Sequence, residues 1–396
     1  MGSVMDQAIP MVRLPGEDIE NFATLALFGV AGAVQFSIAA AQILLAVALL
    51  LWIALLIIRR EAFEAPSFFW PMIVYAAATL ISASLSPDPR TSLIDCKQLS
   101  LFLLVPITYR LASSRHSGTL ITVVVSCAAA SAAIGIFQYG ILHYDQLSQR
   151  PQGTLGHYMT YSGLLMIVLM AALARVLFAK SGRTWPVLVM PALAVAVALT
   201  LSRSAWVGVC AGAAVIFSLK DFRLFALLPI VLAVFIALAP ASVTTRFFSM
   251  FNVNNPTNRD RVAMLHEGER MIRAHPLTGV GPNMVERLYE QYRGPDAVNK
   301  INPHLHNDPL QIAAERGLPA LAIWIWFIIA LVRDLSRRFV RAPSAERFLP
   351  AGALGVVAAL LTAGLFEYNF GDSEVLMLFL ILVTLPAAAD RHAAAA

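Results

Sequence analysis

Charge is scarce in this sequence. Only 13% of its 396 residues are Asp, Glu, Lys or Arg, about half the roughly 25% of an ordinary soluble domain, which argues against a soluble globule. Cysteine is scarce too. Cys96, Cys127 and Cys210 sit in or beside apolar segments with no CxxC spacing, so they read as packing residues rather than a metal or redox motif. The polar start through Asn21 lacks the basic region, short apolar core and small-residue cleavage site of a cleavable signal peptide, and the first helices are expected to direct insertion. The "GVG" at 279–281 has no GK[ST] ending and no preceding buried strand, which excludes a phosphate loop. No useful internal repeat is present, and the short alanine tail is the one low-complexity tract.

What is abundant is apolar sequence, at 58% of residues and a mean hydropathy of +0.70. Runs of about 17–25 apolar residues are long enough to cross a bilayer as helices, which satisfy their own backbone there. About twelve such spans are expected, near 22–38, 40–58, 68–85, 92–109, 118–139, 158–178, 185–201, 205–219, 223–239, 319–334, 349–368 and 374–389. The fold class is therefore all-α, a polytopic membrane helix bundle over residues 1–396 in a single integral-membrane domain.

Alternate connections are basic: Arg59 and Arg60, Arg110 and Arg115, Lys180 and Arg183, Lys220 and Arg223, the cluster from Arg333 to Arg347, and Arg391. The positive-inside rule makes that side cytoplasmic, with both termini. Basic loops beside anionic lipid account for the net charge of +5, so no nucleic-acid partner is expected and membrane lipids are. The other side receives the large loop 240–318, whose segment 261–275 spaces Val262, Leu265, Met271 and Ile272 for one apolar face. That pattern predicts an amphipathic helix, stopped by "HPLTGVGPN".

Polar residues concentrate in "NPHLHNDPLQIAAERGLPA", residues 302–320. Asp308 reads as a helix N-cap with Pro309 in the first turn, and Gly317 with Pro319 ends that helix after about two turns. His306 and Asn307 then stand at a positive helix end, which disfavours an imidazolium and favours an anionic ligand. That placement suits a general base, although for an arbitrary loop a plain interfacial helix cap is the commoner reading. A zinc site at His304 and His306 lacks a third ligand in the sequence.

Arg150, Arg203 in "TLSRSAW" and Arg261 all fall on the outer side, where arginine is disfavoured. Converging guanidinium groups suit a diphosphate; snorkelling to headgroups is the competing reading. Glu315, Arg316, Glu367, Tyr368 and Asp372 could complete the polar site or be ordinary interfacial charges, and each taken alone reads as the latter.

With "RPQGTLGH" (150–157), "LSRSAW" (201–206), "RVAMLHEGERMIRAHPLTGVG" (261–281) and "HNDPLQIAAERGLPA" (306–320), the chain resembles the O-antigen ligase and O-antigen polymerase superfamily, closest to the ligases. His306, Asn307 and Gly317 fit the family's His-Asn spacing, while Ala320 replaces a frequent second glycine and Leu265 a frequent tryptophan. The resemblance implies inverting, metal-independent transfer of a glycan from undecaprenyl diphosphate to a sugar hydroxyl of lipid A-core, without a cofactor, at the periplasmic face of the bacterial inner membrane. It makes His306 the base, Arg203 and Arg261 the diphosphate-binding arginines with Arg150 a weaker member, and places Asn307 and His304 among the substrate contacts. A polymerase using the same donor is the nearest alternative. A transporter of lipid-linked sugars is more distant, since it would need polar or broken helices near the bilayer midplane.

Overall fold

The computed structural model describes residues 16–295 and 297–393, and its regular structure is helical throughout. The polar start read for a signal peptide lies outside the described residues as far as residue 15. A hairpin of α1 (Glu17–Ala33) and α2 (Ile38–Arg59) is followed by α3 (Phe69–Ser84), then α4 (Pro89–Asp95), a 3-10 stretch (Cys96–Leu103) and α5 (Leu104–Leu111). Next come α6 (Ser114–Gly140), α7 (Tyr158–Phe178), α8 (Thr184–Leu199), α9 (Arg203–Lys220) and α10 (Leu227–Leu238). The large loop folds as α11 (Ala241–Phe248), α12 (Pro256–Ala274) and α13 (Val285–Tyr292), before α14 (Asp308–Arg341), α15 (Phe348–Ala363) and α16 (Ser373–Ala393) complete the bundle.

A helix occupies each expected span. Among the described residues, seven helices are by length and composition able to cross a membrane, against about twelve expected crossings, and four shorter apolar helices accompany them. The first begins earlier than expected, at Glu17, because Glu20 in its first turn pairs with Arg59 at 2.6 Å and Arg110 at 2.8 Å. The fourth is not one continuous α-helix. Its middle tightens into the 3-10 stretch, where the Gln98 amide donates to the Gly371 carbonyl and to Ser373 Oγ.

Helices α7, α9 and α15 form the tightest part of the bundle. Gly208 and Gly212 of α9 are one turn apart, and a Cβ added there would stand 2.8 Å from the Ala359 carbonyl and 2.7 Å from the Gly355 carbonyl of α15. Only hydrogen fits, which is how small residues draw membrane helices together where apolar burial provides no drive. This contact fixes the N-terminal end of α9, with Arg203, beside the C-terminal end of α15.

The break after Glu315 and Arg316 is as expected. Gly317 adopts φ +82° and ψ 167°, and α14 resumes beyond it with Pro319 inside. The Ala314 and Glu315 carbonyls are then served from elsewhere: Val280 N–H donates to Ala314 at 2.9 Å, Gly281 N–H to Glu315 at 2.8 Å, and Ser82 Oγ–H to Glu315 at 2.9 Å. "GVG" is thus a backbone patch over a helix break. A Cβ on Gly317 would come within 2.2 Å of the Leu277 carbonyl.

Helix α12 packs on α14 with Met271 buried and Ile272 against the core as expected, but the first half of its packed face is rotated from the expected one. Val262 and Leu265 are about half exposed, whereas Asp260, Ala263, Met264, Glu267, Gly268 and Met271 are buried. Polar partners make this register possible. Asp260 accepts from the Asn299 backbone and amide at 3.1 and 2.7 Å, and Asn302 donates to Tyr289 Oη at 2.9 Å, which ties down the strand-like approach to His304. Burial pushes the Glu267 carboxyl up to about 8, against the pull of Arg270 and with Asp260 adding to the rise.

Gly317→Ala combines a left-handed φ with a backbone clash and is expected to cost about 2 kcal/mol or more. Thermal unfolding in detergent checks this against Gly118→Ala, where the added methyl meets open space. Glu267 yields a pH signature. Because its folded-state value is raised, its contribution is fully present below about pH 4.5 and is lost as pH rises towards 8. The melting temperature of the wild type should therefore fall over that range more than that of Glu267→Gln, and parallel curves would refute the assignment.

Candidate active site

The residue that caps α14 is Asn307, not Asp308. Asn307 Oδ1 accepts from Leu310 N–H at 2.8 Å, and its amide donates to the Leu365 carbonyl at 3.0 Å. Asp308 is instead buried in the first turn, donating its N–H to the Gly364 carbonyl at 2.6 Å and accepting from Phe370 N–H at 3.0 Å. Both residues clamp the 364–372 segment against the helix start. One turn of chain away, that segment delivers Glu367.

Glu367 is the centre of the site. Its Oε1 accepts from His306 Nδ1 at 2.8 Å, His304 Nε2 at 3.0 Å and the Tyr368 N–H at 3.1 Å, while its buried Oε2 has no partner. Burial alone would raise this carboxyl, but the positive charge of His306 and His304 whenever those rings are protonated, with the hydrogen bonds from both, holds it well below the usual carboxylate range. Of the two readings open for Glu367, an ordinary interfacial charge and a member of the polar site, its burial and histidine partners support the second. The same holds for Glu315 and Arg316, a buried pair at 2.7 Å in which Glu315 also accepts from Asn283 N–H, and for Tyr368, whose hydroxyl meets Arg316 at 3.4 Å. Asp372 accepts from Thr160 Oγ at 2.5 Å and Val375 N–H at 3.3 Å. These groups are structural members of the site because the loop that carries them folds inward.

The two imidazoles lie with centroids 4.2 Å apart. His306 takes φ +48°, a left-handed conformation uncommon outside glycine, which turns its ring towards Glu367 at the mouth of α14. With Nδ1–H given to the carboxylate, the His306 Nε2 lone pair is left to accept a proton. The expected helix-end placement is therefore supplemented by a carboxylate partner. His304, His306 and Glu367 also place three ligand atoms within 4.8 Å of one another, so Glu367 is the third ligand that a metal reading of the sequence lacked.

The expected arginines come together, with one more. Arg203 is buried, donates to the Ser249 carbonyl at 3.2 Å and leaves Nη2 without a partner. Arg150 and Arg261 lie within electrostatic range of it. Arg150 stacks 4.1 Å from the centroid of the Tyr158 ring and donates to the Leu147 carbonyl at 2.9 Å. Burial pushes Arg261 down while Glu367, Tyr158 and Asp260 oppose the shift, which links this cation to the histidine–glutamate centre. The fourth is Arg246 of α11, buried and bonded through Nε to the Leu201 carbonyl at 3.2 Å. Burial, followed by repulsion from Arg203 and Arg150, pushes it down to about 10.

Arg246 escaped the sequence reading although it satisfies the same criterion as Arg203, an arginine on the outer side of an apolar chain. Leu201, held at φ +55°, turns its carbonyl to that arginine immediately before Ser202 and Arg203. Among the described residues, none of these four guanidinium groups has a carboxylate in direct contact. Like charges gathered at low dielectric call for an anion.

Inorganic diphosphate should accordingly raise the melting temperature of the detergent-solubilised protein. Arg203→Ala or Arg246→Ala should weaken that binding by about tenfold, in line with the loss of one charge-assisted contact. An unchanged diphosphate titration in both variants would remove the anion site.

No curated protein matches the sequence. Residues 188–325, which run from α8 through Arg203, Arg246, Arg261 and His306 into the resumed part of α14, match the family model for O-antigen ligase, so over that segment this membrane protein is similar to the O-antigen ligase family.

Proposed function

We propose that the protein transfers a glycan from undecaprenyl diphosphate to a sugar hydroxyl of lipid A-core, by single displacement with inversion and without a metal, on the periplasmic side of the bacterial inner membrane. The observation that carries this reading is the set of four arginines without carboxylate partners beside a histidine whose Nδ1 is held by Glu367. A diphosphate is a good leaving group whose charge grows as the glycosidic bond breaks, so fixed guanidinium groups lower the barrier where that charge develops. Arg203 and Arg261 hold it, with Arg150 and Arg246 beside them.

In the chemical step, His306 Nε2 takes the proton of the acceptor hydroxyl as its oxygen bonds to the anomeric carbon of the donor sugar. The bond from that carbon to the diphosphate oxygen breaks on the opposite face, and the electron pair leaves with the diphosphate. Glu367 stabilises the imidazolium that forms and fixes the ring orientation. Asn307, whose amide is engaged at the helix cap and the 365 carbonyl, supports this geometry from beneath, and His304 contacts the acceptor. With about twelve crossings, both termini lie in the cytoplasm.

The test is transfer in proteoliposomes supplied with polyprenyl diphosphate-linked glycan and lipid A-core. His306→Ala should reduce kcat at least a hundredfold, the low end of general-base contributions, and Glu367→Gln about tenfold or more. Arg203→Ala and Arg261→Ala should raise the donor KM. EDTA should leave the rate unchanged; a loss restored by zinc would instead make His304, His306 and Glu367 a metal centre. Lengthening of the polyprenyl-linked chain with no sugar on lipid A-core would make the protein a polymerase, and full activity of His306→Ala would defeat both readings.

A further inference from the structure

His304 and His306 stand between two unlike surroundings. The four arginines gather on the side of Tyr158 and α11. Away from them, a cavity of about 650 Å³ opens between α2, the 3-10 stretch and the 368–373 segment, within the size range of ligand sites. His304 forms part of its wall, and Arg150, Arg203, Arg246 and Arg261 do not.

The chemistry of that wall is unsuited to a diphosphate. It presents the amides Gln42, Gln98, Asn283 and Gln311 and the hydroxyls Ser100, Tyr368 and Ser373. Its charged groups are Lys97 against Asp95 and Glu315, the latter already paired with Arg316. Gln98, Gln311, Ser100 and Tyr368 are partly engaged within the protein, and with Gln42 and Asn283 the wall still offers donors and acceptors of the kind that saccharide hydroxyl groups satisfy, each able both to give and to take a hydrogen bond. The far wall is apolar, formed by Leu45, Ala46 and Leu49 on one face of α2 with Leu101 and Leu103. Neighbouring Ile43, Val47 and Leu50 of the same helix are exposed, and α2 is among the helices long and apolar enough to cross a membrane. The cavity thus joins a polar chamber to a lipid-facing helix.

We propose that this cavity is the acceptor subsite. It takes the polyhydroxylated headgroup of a lipid-borne saccharide, with the lipid lying along α2 and the reacting hydroxyl presented at His304 towards His306. The inference rests on the glycan-transfer reading above and adds where the acceptor lies, which residues hold it and why donor and acceptor do not compete: the donor diphosphate belongs to the arginines, the acceptor sugars to the amides. His304, held through Nε2 by Glu367, is a positioning residue that leaves Nδ1 for the hydroxyl.

Ala46→Trp fills the apolar wall from an exposed helix position, and Gln42→Ala removes a polar group without adding bulk. Each would be placed in nanodiscs and checked for an unaltered melting temperature. Equilibrium binding of lipid A-core is measured without donor, and KM is measured for lipid A-core and for polyprenyl diphosphate-linked glycan separately. The expected result is at least tenfold weaker lipid A-core binding and a matching rise in its KM for Ala46→Trp, about fivefold for Gln42→Ala, and less than a twofold change in donor KM for both. A rise in donor KM alone, unchanged lipid A-core binding in Ala46→Trp, or no lipid A-core binding by the wild type overturns the assignment. Absence of transfer by a wild type that binds lipid A-core with this dependence defeats the transfer reading while leaving the subsite standing.

Discussion

Backbone polar groups inside an apolar bundle have to be satisfied by the protein itself, and the break of α14 at Gly317 is where that constraint shapes everything around it. Interrupting the helix frees the Ala314 and Glu315 carbonyls, and the 279–281 turn together with Ser82 fills them. That repair anchors the end of α12 and brings Asn283 to Glu315. The two-turn helix left in front of the break is short enough to sit wholly at the bundle end, so its first residues meet the 364–372 segment rather than lipid. A single uninterrupted helix would carry Asn307 and Asp308 past that contact and separate His306 from Glu367.

Packing supplies the second coordinate. The glycine contacts of α9 with α15 bring Arg203 to the same end as Gly364, where Asp308 is bonded. Arginine cluster and histidine pair are therefore positioned by the same two helices, one at each helix terminus. Two of the left-handed non-glycine residues lie at this link: Leu201 stands next to the arginine and His306 at the base. Strain of this kind persists where surrounding contacts over-determine it.

Much of this was legible in the sequence because each part had a local cause. Apolar runs located the helices, Gly317 and Pro319 the break, and misplaced arginines three of the four cations. The remainder depends on partners distant in sequence. Glu367 looks like any loop carboxylate until Asp308 draws its loop inward, and the buried face of α12 is set by Asp260 and its asparagines, which hydrophobic spacing ignores. Asp308 displaced itself as the cap for a related reason: Asn307 serves Leu310 N–H and the Leu365 carbonyl at once, and a carboxylate has no N–H for the second.

The arginines at the opposite end of the bundle behave differently. Arg59 and Arg110 meet Glu20 and Glu61, Arg338 meets Asp334 and Asp390, and Arg391 meets Glu64. For these four the charge is met within the fold, whereas among the described residues the four guanidinium groups beside His306 have no carboxylate in direct contact. The cleft therefore concentrates positive charge locally, in a half-buried place where mobile ions screen poorly. An anion arriving at the cleft completes a local charge balance that folding alone left open.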